Sequence, residues 1–547
     1  MDTQRLIIFV VFSFGILMLW DTWQKDQHPA DVAQKTISAP ASVPTPTPVP
    51  GEKLMPAAPP AVAGEVLQYG SRIKVKTDVL NAVIDTNGGD LRRLELLQHK
   101  DALNPEKNFV LLEEGSGKVY VAQAGLIGAG LPTHKTVFQS SAGEYNLASG
   151  QNELKVRLEW ADGKGIKVAK IYTFHRGGYV IDVAYEIQNQ TSAALDPFAY
   201  YQLLRNGSPP AGDPKFVSTY TGAAVYTDKE KYQKVDFSDI DKEKINYPRY
   251  SQDGWIAILQ HYFLSAWLPK KDMRREFYTK RVGEGMYAAG VIVPVGVVQP
   301  GATKQIAVPL YAGPQDQDKL SSLAPGLELT VDYGWLTVIA SPLFWVLSSI
   351  HKLVDNWGVA IILLTVMIKL VFFPLSAASY RSMAQMRILA PKLQKLKEQH
   401  GDDRQRLHES MMALYKEEKV NPLGGCLPIV VQIPVFIALY WVLLASVEMR
   451  QAPFMLWLQD LSTPDPYYVL PIIMGATMII QTRLNPTPPD PIQAKVMKVM
   501  PIAFSVFFFF FPAGLVLYWV VNNVLSIAQQ WYITRRLENA QAGNVKR

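Results

Sequence analysis

The sequence predicts a multi-domain membrane protein, with an all-α membrane region of six crossings and a large antiparallel β-sandwich outside the cytoplasm. The chain of 547 residues is 48% hydrophobic, but its charge-free stretches of membrane-spanning length crowd the last third. Residues from about 70 to 325 instead mix charged and apolar side chains, as soluble domains do. One part of the chain is therefore expected in lipid and the other in water.

The N-terminal residues have the pattern of a signal sequence that is not removed. Arg5 precedes an apolar run over 6–20, and no small-x-small cleavage site follows it. We therefore predict a signal-anchor transmembrane helix within 1–26, with the N-terminus in the cytoplasm. Residues 27–65 are rich in proline and alanine, which predicts an extended, semi-rigid linker.

Residues 66–325 predict the β-sandwich through alternation of apolar and polar side chains. The alternation is clear at 73–76 and at 154–158, and it is the pattern of half-buried strands. Turn signals rich in glycine, such as 87–89, separate the runs and favour antiparallel hairpins. We expect a periplasmic domain that depends on its own hydrophobic core.

Residues 332–355 predict an amphipathic helix. Apolar side chains recur there at steps of three and four residues, and Pro342 introduces a kink. Trp335 and Trp345, with Trp357 just beyond, are typical of the membrane interface, which favours a helix lying in the plane of the membrane. The alternative is a helix packed against the soluble domain.

Residues 357–534 predict a core of five membrane helices. The last apolar stretch, 499–534, would extend for about 54 Å as one helix, whereas the hydrocarbon core of a bilayer is about 30 Å thick. The sequence Pro-Ala-Gly at 512–514 supplies a break, so we predict two short crossings joined by a tight turn. With the N-terminal anchor the chain then crosses six times. The stretches assigned to the core crossings are 357–380, 420–447, 466–482 and the two halves of 499–534.

Basic residues set the predicted orientation. They concentrate between 381 and 419, so this loop is expected in the cytoplasm, together with both chain termini and a short basic tail over 535–547. Helical spacing on either side of 401–403 predicts an antiparallel helical hairpin over 381–419. The hairpin either only sets the topology or offers a contact surface to incoming chains and targeting factors. Its candidate contact residues are Arg381, Arg387, Lys392 and Lys395.

One charged residue stands inside the predicted core crossings. Lys369 lies near the middle of 357–380, about 18 Å of helix before Arg381, which is beyond the reach of ordinary snorkelling. An ionised lysine facing lipid at the bilayer centre costs about 2.5–3.5 kcal/mol, so this side chain is expected to face water or protein. The polar residues expected to line the same cavity are Thr365, Gln432, Asn522, Asn523, Gln529 and Gln530.

Several alternatives remain for these polar groups. Lys369 either bonds neighbouring helices as structural glue or stands in a hydrophilic groove, and the five core crossings contain no acidic residue to neutralise it, which favours the groove. A secondary transporter or channel also uses intramembrane lysines, and a scaffold uses its helices only as an anchor. No catalytic or metal-binding motif is found, so we predict no enzyme activity, no cofactor and no metal.

Three motifs carry a resemblance to a known family. Residues 421–428 read Asn-Pro-Leu-Gly-Gly-Cys-Leu-Pro and lead into 432–436, and residues 511–519 read Phe-Pro-Ala-Gly-Leu-Val-Leu-Tyr-Trp. With Val-Asp-Tyr-Gly-Trp at 331–335, they resemble the YidC family of membrane protein insertases, in its form with a large periplasmic domain. The resemblance covers nearly the whole chain apart from the linker.

The resemblance implies a hydrophilic groove in the five-helix core, open to the cytoplasm and to lipid but closed toward the periplasm. Family members commonly have arginine at the place of Lys369. Client segments slide along two of the crossings, which points to Gln432, Ile433, Phe436 and Tyr518 as contacts. The implied partners are nascent membrane proteins, the Sec translocon and the ribosome. Targeting factors are candidate partners of the hairpin, and the apolar crossings predict contact with the lipid bilayer. The small net charge of +6, with no basic stripe interleaved with aromatic residues, argues against a specific nucleic acid partner. The implied location is the bacterial inner membrane.

Overall fold

The computed structural model describes residues 67–115, 117–210, 219–400, 403–418, 427–484 and 491–545. The predicted signal anchor over 1–26 and linker over 27–65 lie outside these residues, as do residues 421–426 of the motif. The chain divides into two compact units. The β unit ends at Val331, and the described part of the helical unit begins at Asp332.

The β unit is built from many short strands, as the alternation predicts. Its described strands are β1 Arg72–Lys76, β2 Leu80–Asp85, β3 Asp90–Lys100, β4 Asn108–Gly115, β5 Lys118–Ile127, β6 Gln139–Ser140, β7 Glu144–Asn146, β8 Glu153–Ala161, β9 Ile166–His175, β10 Val180–Asn189, β11 Phe198–Asn206, β12 Gly222–Thr227, β13 Lys231–Val235, β14 Tyr250–Ser251, β15 Trp255–Gln260, β16 Phe263–Trp267, β17 Arg275–Gly283, β18 Met286–Pro294 and β19 Thr303–Pro314. Two short helices, α1 Phe237–Asp241 and α2 Gln317–Leu323, belong to the same unit.

These strands form two sheets. The first has ten strands in the order β14-β17-β18-β11-β5-β4-β3-β2-β1-β7, and the second has nine in the order β13-β12-β15-β16-β19-β10-β9-β8-β6. Neighbouring strands pair antiparallel, except that β1 runs parallel to β7. The prediction of a large antiparallel β domain is therefore confirmed.

Large aromatic side chains close the space between the two sheets. Tyr201 of β11 packs against Trp267 of β16, in the opposite sheet, with ring centroids 5.1 Å apart. β8, which lies next to the edge strand β6, buries only the alternate residues Val156 and Leu158, whereas β15 and β16 are buried along their whole length. The burial of so much aromatic surface gives this unit a core of its own.

One histidine of this unit, His134, is buried beside the hydroxyl group of a tyrosine. His134 lies between β5 and β6, and its Nδ1 is 2.5 Å from the hydroxyl of Tyr200, which also accepts the His134 backbone N–H at 3.0 Å. Burial lowers the pKa of His134 to about 3, and the positive charge of Lys135 acts in the same direction. His134 is therefore neutral in the folded protein near neutral pH.

The helical unit contains the residues expected in the membrane. Its described helices are α3 Thr337–Val354, α4 Trp357–Val371, α5 Phe373–His400, α6 Arg404–Glu417, α7 Leu427–Ala445, α8 Val469–Leu484, α9 Pro491–Phe507 and α10 Ala513–Val545. Short 3-10 turns lie at Gly334–Leu336, Val447–Met449 and Phe508–Phe510.

Helix length alone does not establish six crossings. Among the described residues, the segment Gly334–Val354 is long and apolar enough to span a membrane by itself. Trp357–Val371 and Phe373–Met386 reach that length only together, as a pair bent by 67°. Val431–Ala445 and Val469–Leu484 are apolar but shorter. The number of crossings therefore stays a prediction.

The expectation of one continuous helix over 357–380 was wrong. α4 ends at Val371, and α5 departs from it at 67°. Pro374 explains the break, because proline has no N–H to donate to the carbonyl of Leu370 and its ring would clash with that group. Phe372 forms backbone hydrogen bonds with both helices. Its N–H donates to the carbonyl oxygen of Ile368 in α4, and its own carbonyl oxygen accepts the N–H of Ser376 in α5, each at 3.0 Å.

The long apolar stretch over 499–534 breaks where the sequence indicated. α9 ends at Phe507, and α10 begins at Ala513, directly after Pro512. α10 then continues to Val545, so most of the residues expected as a separate tail over 535–547 belong to this helix. The Leu, Glu, Ala and Gln residues beyond Arg536 favour helix, which accounts for the difference.

The first helix of the unit, α3, has one buried and one exposed face. Ala340, Phe344 and Leu347 are buried, and α3 packs against α4 and α7. Trp345 and Leu353 are exposed, and both are apolar enough to contact lipid. The position of α3 in the membrane interface stays a prediction.

We expect the β unit to lose stability as the pH falls from about 6.5, because of His134. The pKa of His134 is about 3 in the fold and close to 6.5 in the unfolded chain, so the unfolded state binds an extra proton between these values. The contribution of neutral His134 to the free energy of unfolding is complete above about pH 6.5. It declines by about 1.4 kcal/mol for each pH unit as the pH falls from there toward the pKa in the fold. Protease resistance of the β unit in urea, measured on the full-length protein between about pH 6.5 and 5, tests this.

The control is replacement of the histidine itself. His134→Gln should flatten the dependence on pH, because it removes the buried group that takes up a proton on unfolding. Equal slopes in the wild type and His134→Gln would contradict this assignment.

Candidate functional site

The last helix, α10, brings several candidate polar residues together. It packs against α4, α5, α7 and α8, so its different faces meet different helices. Tyr518, Asn522 and Ser526 follow one another at intervals of four residues and therefore lie on one face of α10. We call these three residues the polar row.

Lys369 of α4 meets one end of the polar row. Its Nζ donates a hydrogen bond to Ser526 Oγ at 2.8 Å, and Ser526 Oγ donates in turn to the backbone oxygen of Asn522 at 2.7 Å. Within the described residues, no carboxylate forms an ion pair with this ammonium group. The cation is therefore held by a neutral hydroxyl group.

The structure places Lys369 beside the bend between α4 and α5. It lies in the last turn of α4, and not in the middle of a long helix as expected, because Pro374 ends the helix early. Gln529 of α10 reaches the same bend, with its Nε2 3.5 Å from the backbone oxygen of Phe373. α10 therefore contacts both Lys369 and the turn that follows it.

Gln432 of α7 meets the other end of the polar row. Its Nε2 donates to the hydroxyl of Tyr518 at 3.3 Å, and Tyr518 is only 1% exposed. Phe436 stacks on Trp519 with ring centroids 4.3 Å apart and is half-buried. Ile433 is 48% exposed. Of the four residues expected to touch clients, Ile433 lies at the surface, Gln432 and Phe436 are half-buried, and Tyr518 lies in the interior.

Two residues expected in the groove make their contacts elsewhere. Thr365 is buried, and its hydroxyl donates to the carbonyl of Ile361 in its own helix at 2.6 Å. Asn523 is also buried, and its Nδ2 lies 3.3 Å from Thr477 Oγ1 of α8. Neither side chain belongs to the polar row, because Thr365 is satisfied within its own helix and Asn523 bonds α10 to α8.

Ser526 was not among the residues predicted from the sequence. A serine in an apolar helix does not by itself indicate a functional site, because its hydroxyl group usually donates a hydrogen bond to a carbonyl of the preceding turn. The available clue was its spacing, four residues after Asn522 and three before Gln529, which places it on the face already marked by polar residues.

The polar row offers hydrogen-bonding groups rather than a reactive centre. The Oδ1 atom of Asn522 is buried and has no hydrogen-bond partner among the described residues. The ammonium group of Lys369 has donors beyond the one that Ser526 accepts. Both groups therefore keep hydrogen-bonding capacity that the described residues do not use. The described residues contain no group of three or more His, Cys, Asp or Glu side chains suited to a metal ion.

The four basic residues expected to form a contact surface lie on α5. Arg381 and Lys395 are exposed, whereas Lys392 Nζ is 2.5 Å from Glu418 Oε1, just beyond α6. The side chain of Arg387 lies outside the part of the chain that the structure describes. α5 and α6 pack against each other, so a helical pair stands where the hairpin was predicted, although its first helix already begins at Phe373.

Comparison with known proteins covers both units. Residues 72–346 match the family described as the YidC periplasmic domain, and residues 349–540 match the family described as 60Kd inner membrane protein. The membrane protein insertase YidC of Methylobacillus flagellatus is 60% identical over 555 residues, covering 100% of both chains. That of Nitrosospira multiformis is 57% identical, covering 100% of this chain and 99% of the relative.

A solved structure is also similar. It is described as an active YidC insertase with the first transmembrane domain resolved, and it shares 19% sequence identity and a TM-score of 0.41 over 85% of this chain and 93% of its own.

We expect the adjacent residues Asn522 and Asn523 to differ in their effect on stability. Asn523→Ala removes the hydrogen bond to Thr477 between α10 and α8 and should lower the free energy of unfolding by about 0.6–1.7 kcal/mol. Asn522→Ala removes a buried oxygen without a partner among the described residues and should be neutral or stabilising. Thermal unfolding of the purified full-length variants in one detergent measures the difference, and equal losses would show that Asn522 has a structural partner.

Proposed function

Because this chain belongs to the YidC family of membrane protein insertases, we propose that it inserts client proteins into the bacterial inner membrane along the polar row of α10. An insertase moves polypeptide from water into lipid and makes or breaks no covalent bond. The residues proposed to act are therefore those that change the solvent met by a client chain. Lys369, Gln432 and Asn522 are the proposed lining of a hydrophilic groove.

The observation that carries this proposal is the environment of Lys369. Its ammonium group is hydrogen-bonded to Ser526 and forms no ion pair with a described carboxylate. A cation held only by a neutral hydroxyl group is a poor structural staple in an apolar surrounding, because desolvation costs more than one neutral hydrogen bond returns. Water or the polar part of a client supplies the missing partners.

The proposed mechanism follows from the cost of moving polar chain through lipid. Each peptide group that enters hydrocarbon without a hydrogen-bond partner costs on the order of 2–7 kcal/mol, depending on which apolar solvent serves as the reference. A groove lined by Lys369, Gln432 and Asn522 provides partners for the short extracytoplasmic end of a client. The client's apolar segments then leave sideways into lipid, driven by hydrophobic transfer and the membrane potential.

Lysine at position 369 restricts how the groove holds an acidic client. The ammonium group is a compact charge on a flexible stem, whereas the arginine common in this family has a planar fork that binds carboxylates in a bidentate manner. We therefore propose single, exchangeable hydrogen bonds to client carboxylates, which suits a client that must be released.

The exposed part of α7 is the proposed exit surface. Ile433 is exposed, and Phe436 lies half-buried against Trp519 and Tyr518. Ile433 and Phe436 are the proposed client contacts. Tyr518 is buried next to this surface, and its hydroxyl accepts a hydrogen bond from Gln432, which lies on the same helix as Ile433 and Phe436.

The proposed topology has six crossings, cytoplasmic termini and the β unit in the periplasm. It is supported by the concentration of basic residues on α5 and α6, since positively charged loops remain in the cytoplasm. The exposed Arg381 and Lys395, with Arg387 and Lys392, form the proposed contact surface for ribosomes or targeting factors. We also propose that the protein works alone or beside the Sec translocon.

Two replacements of Lys369 test whether insertion requires the positive charge of this side chain or its shape. In cells depleted of the native protein, we expect Lys369→Arg to restore insertion of small clients with short periplasmic segments. Lys369→Glu should reduce their insertion rate by roughly tenfold or more, since about 1.4 kcal/mol of lost interaction is sufficient for that factor. Protease accessibility of the client's extracytoplasmic end measures insertion.

The matched control is Lys352→Glu, the same charge reversal at an exposed residue of α3. It should insert clients as the wild type does. Equal insertion by Lys369→Arg and Lys369→Glu, at equal abundance in the membrane, would exclude a role of this charge and favour a scaffold function.

Crosslinking should locate the exit surface on α7. A diazirine amino acid at Ile433 should react with a ribosome-stalled client, because this side chain is exposed. The same probe at Leu439, a buried residue of the same helix, should react with helices of its own chain instead. Client adducts of equal yield at both positions would contradict a defined exit surface.

A further inference from the structure

The later part of α10 carries two aromatic residues on its surface. Trp531 is 50% exposed and Tyr532 is 48% exposed, although Tyr518 of the same helix is buried. Trp531 comes five turns after Ala513, about 27 Å along an α-helix, and the hydrocarbon core of a bilayer is about 30 Å thick. If α10 crosses the membrane from Ala513, these two rings therefore reach the level of the lipid headgroups, where Trp and Tyr are enriched.

An arginine lies over each of these two rings. The guanidinium carbon of Arg535 is 5.1 Å from the centroid of the Trp531 ring, and that of Arg536 is 5.1 Å from the centroid of the Tyr532 ring. Both distances are those of cation–π interactions. Each arginine follows its ring by four residues, the spacing that places two side chains on one face of a helix. We call the two arginines and their rings the stacked pairs.

The stacked pairs face away from the neighbouring helices of the unit. Gln529, just before them, has its Nε2 3.5 Å from the carbonyl oxygen of Phe373. The Nε2 of Gln530 donates to the carbonyl oxygen of Leu484 in α8 at 3.3 Å. The next two positions turn outward, because successive residues of an α-helix stand about 100° apart. Both arginines of the stacked pairs are accordingly exposed.

The stacked pairs concentrate positive charge on the outer face of α10. Within the described part of the chain, neither Arg535 nor Arg536 forms an ion pair with a carboxylate. A guanidinium group that lies over a ring still presents N–H groups at its edge, and its planar fork matches the oxygens of a phosphate group. The ligand class that this surface fits is therefore a phosphate ester or another oxyanion.

An apolar strip leads to the stacked pairs along the same face of α10. Val524 lies seven residues before Trp531, and Ala528 lies seven before Arg535, so both stand on the outer face. Both side chains are exposed. The surface therefore joins an apolar part to a cationic end, as an amphipathic ligand with one acyl chain region and one anionic headgroup requires.

From these observations we propose that the stacked pairs bind the phosphodiester headgroup of an anionic lipid, whose acyl chain lies along Val524 and Ala528. A free phosphate ion would use the arginines but not the apolar strip. The inference rests on the membrane crossing of α10 proposed above. It does not rest on the groove, because the polar row lies on a different face of this helix.

Binding of phosphatidylglycerol to the purified full-length protein tests the site. Native mass spectrometry in detergent counts the bound lipids during a titration, with zwitterionic phosphatidylcholine as the comparison lipid. The wild type should bind phosphatidylglycerol more tightly than phosphatidylcholine. Arg535→Gln combined with Arg536→Gln should weaken the binding of phosphatidylglycerol by roughly tenfold or more, because hydrogen bonds between charged groups are lost. Displacement of the lipid by an equal concentration of inorganic phosphate would show a site for a free anion and overturn the lipid assignment.

The matched control is an exposed arginine in the last turn of α8. Arg483 is adjacent to Leu484, whose carbonyl oxygen accepts Gln530 of α10, and it has no ring contact among the described residues. Arg483→Gln removes the same charge as Arg535→Gln and should change phosphatidylglycerol binding by less than about twofold. Equal weakening in the two variants would indicate a diffuse basic surface and overturn the site at the stacked pairs.

A second variant tests the ring without changing any charge. Trp531→Leu keeps an apolar side chain but removes the cation–π contact that holds Arg535, so phosphatidylglycerol binding should weaken by roughly twofold or more. Trp531→Tyr supplies another ring and should restore most of the binding. Unchanged binding in Trp531→Leu would overturn the part assigned to the ring.

Two further measurements separate this site from other partners and from the proposed function. Arginines beside aromatic rings also bind RNA bases by stacking. Unchanged lipid binding in the double arginine variant, with loss of its co-sedimentation with ribosomes, would overturn the lipid assignment in favour of ribosomal RNA. The protease assay of client insertion is run on the same proteins. A wild type that inserts clients but does not prefer phosphatidylglycerol refutes the lipid site alone, whereas that preference without insertion refutes the proposed function alone.

Discussion

The helical unit depends on how α10 satisfies its polar side chains, because each buried donor or acceptor without a partner is costly in an apolar surrounding. On one face, Asn523 bonds Thr477 and Gln530 reaches the carbonyl of Leu484, both toward α8. On another face, Ser526 accepts Lys369 of α4. These hydrogen bonds hold α10 from two sides, whereas the buried Oδ1 of Asn522 accepts no hydrogen bond from the described residues.

The two ends of the helical unit are built in different ways. At one end Pro374 bends the chain beside Lys369, and α5 and α6 continue from that bend as a basic helical pair. At the other end, backbone oxygens accept N–H groups from the first turn of α10, and the carboxylate of Asp465 accepts one from the first turn of α8. One end is therefore densely bonded, whereas the polar groups near the other keep unused hydrogen-bonding capacity. This asymmetry is consistent with the proposed groove, in which polar chain enters near Lys369.

Local sequence was a good guide to the kind of structure and a poorer guide to helix ends. Alternation between apolar and polar residues predicted the antiparallel β domain, because only a strand places alternate side chains on opposite faces. The break before Ala513 was predicted from its proline and glycine. The bend after Val371 was not, although Pro374 is visible in the sequence, because apolar content across 357–380 outweighed one residue in the assignment.

The sequence by itself determined the family, the two-part organisation and the polar residues worth testing, because composition, periodicity and motifs are local properties of the chain. Tertiary structure alone decided which of those residues act together. Asn522 and Asn523 are adjacent and identical in type, yet they stand about 100° apart around α10 and meet different neighbours. Ser526 gains its importance only from the arrival of Lys369, and Asp465 only from the helix start it caps. Such partnerships arise from packing between distant segments, which no pattern within either segment contains.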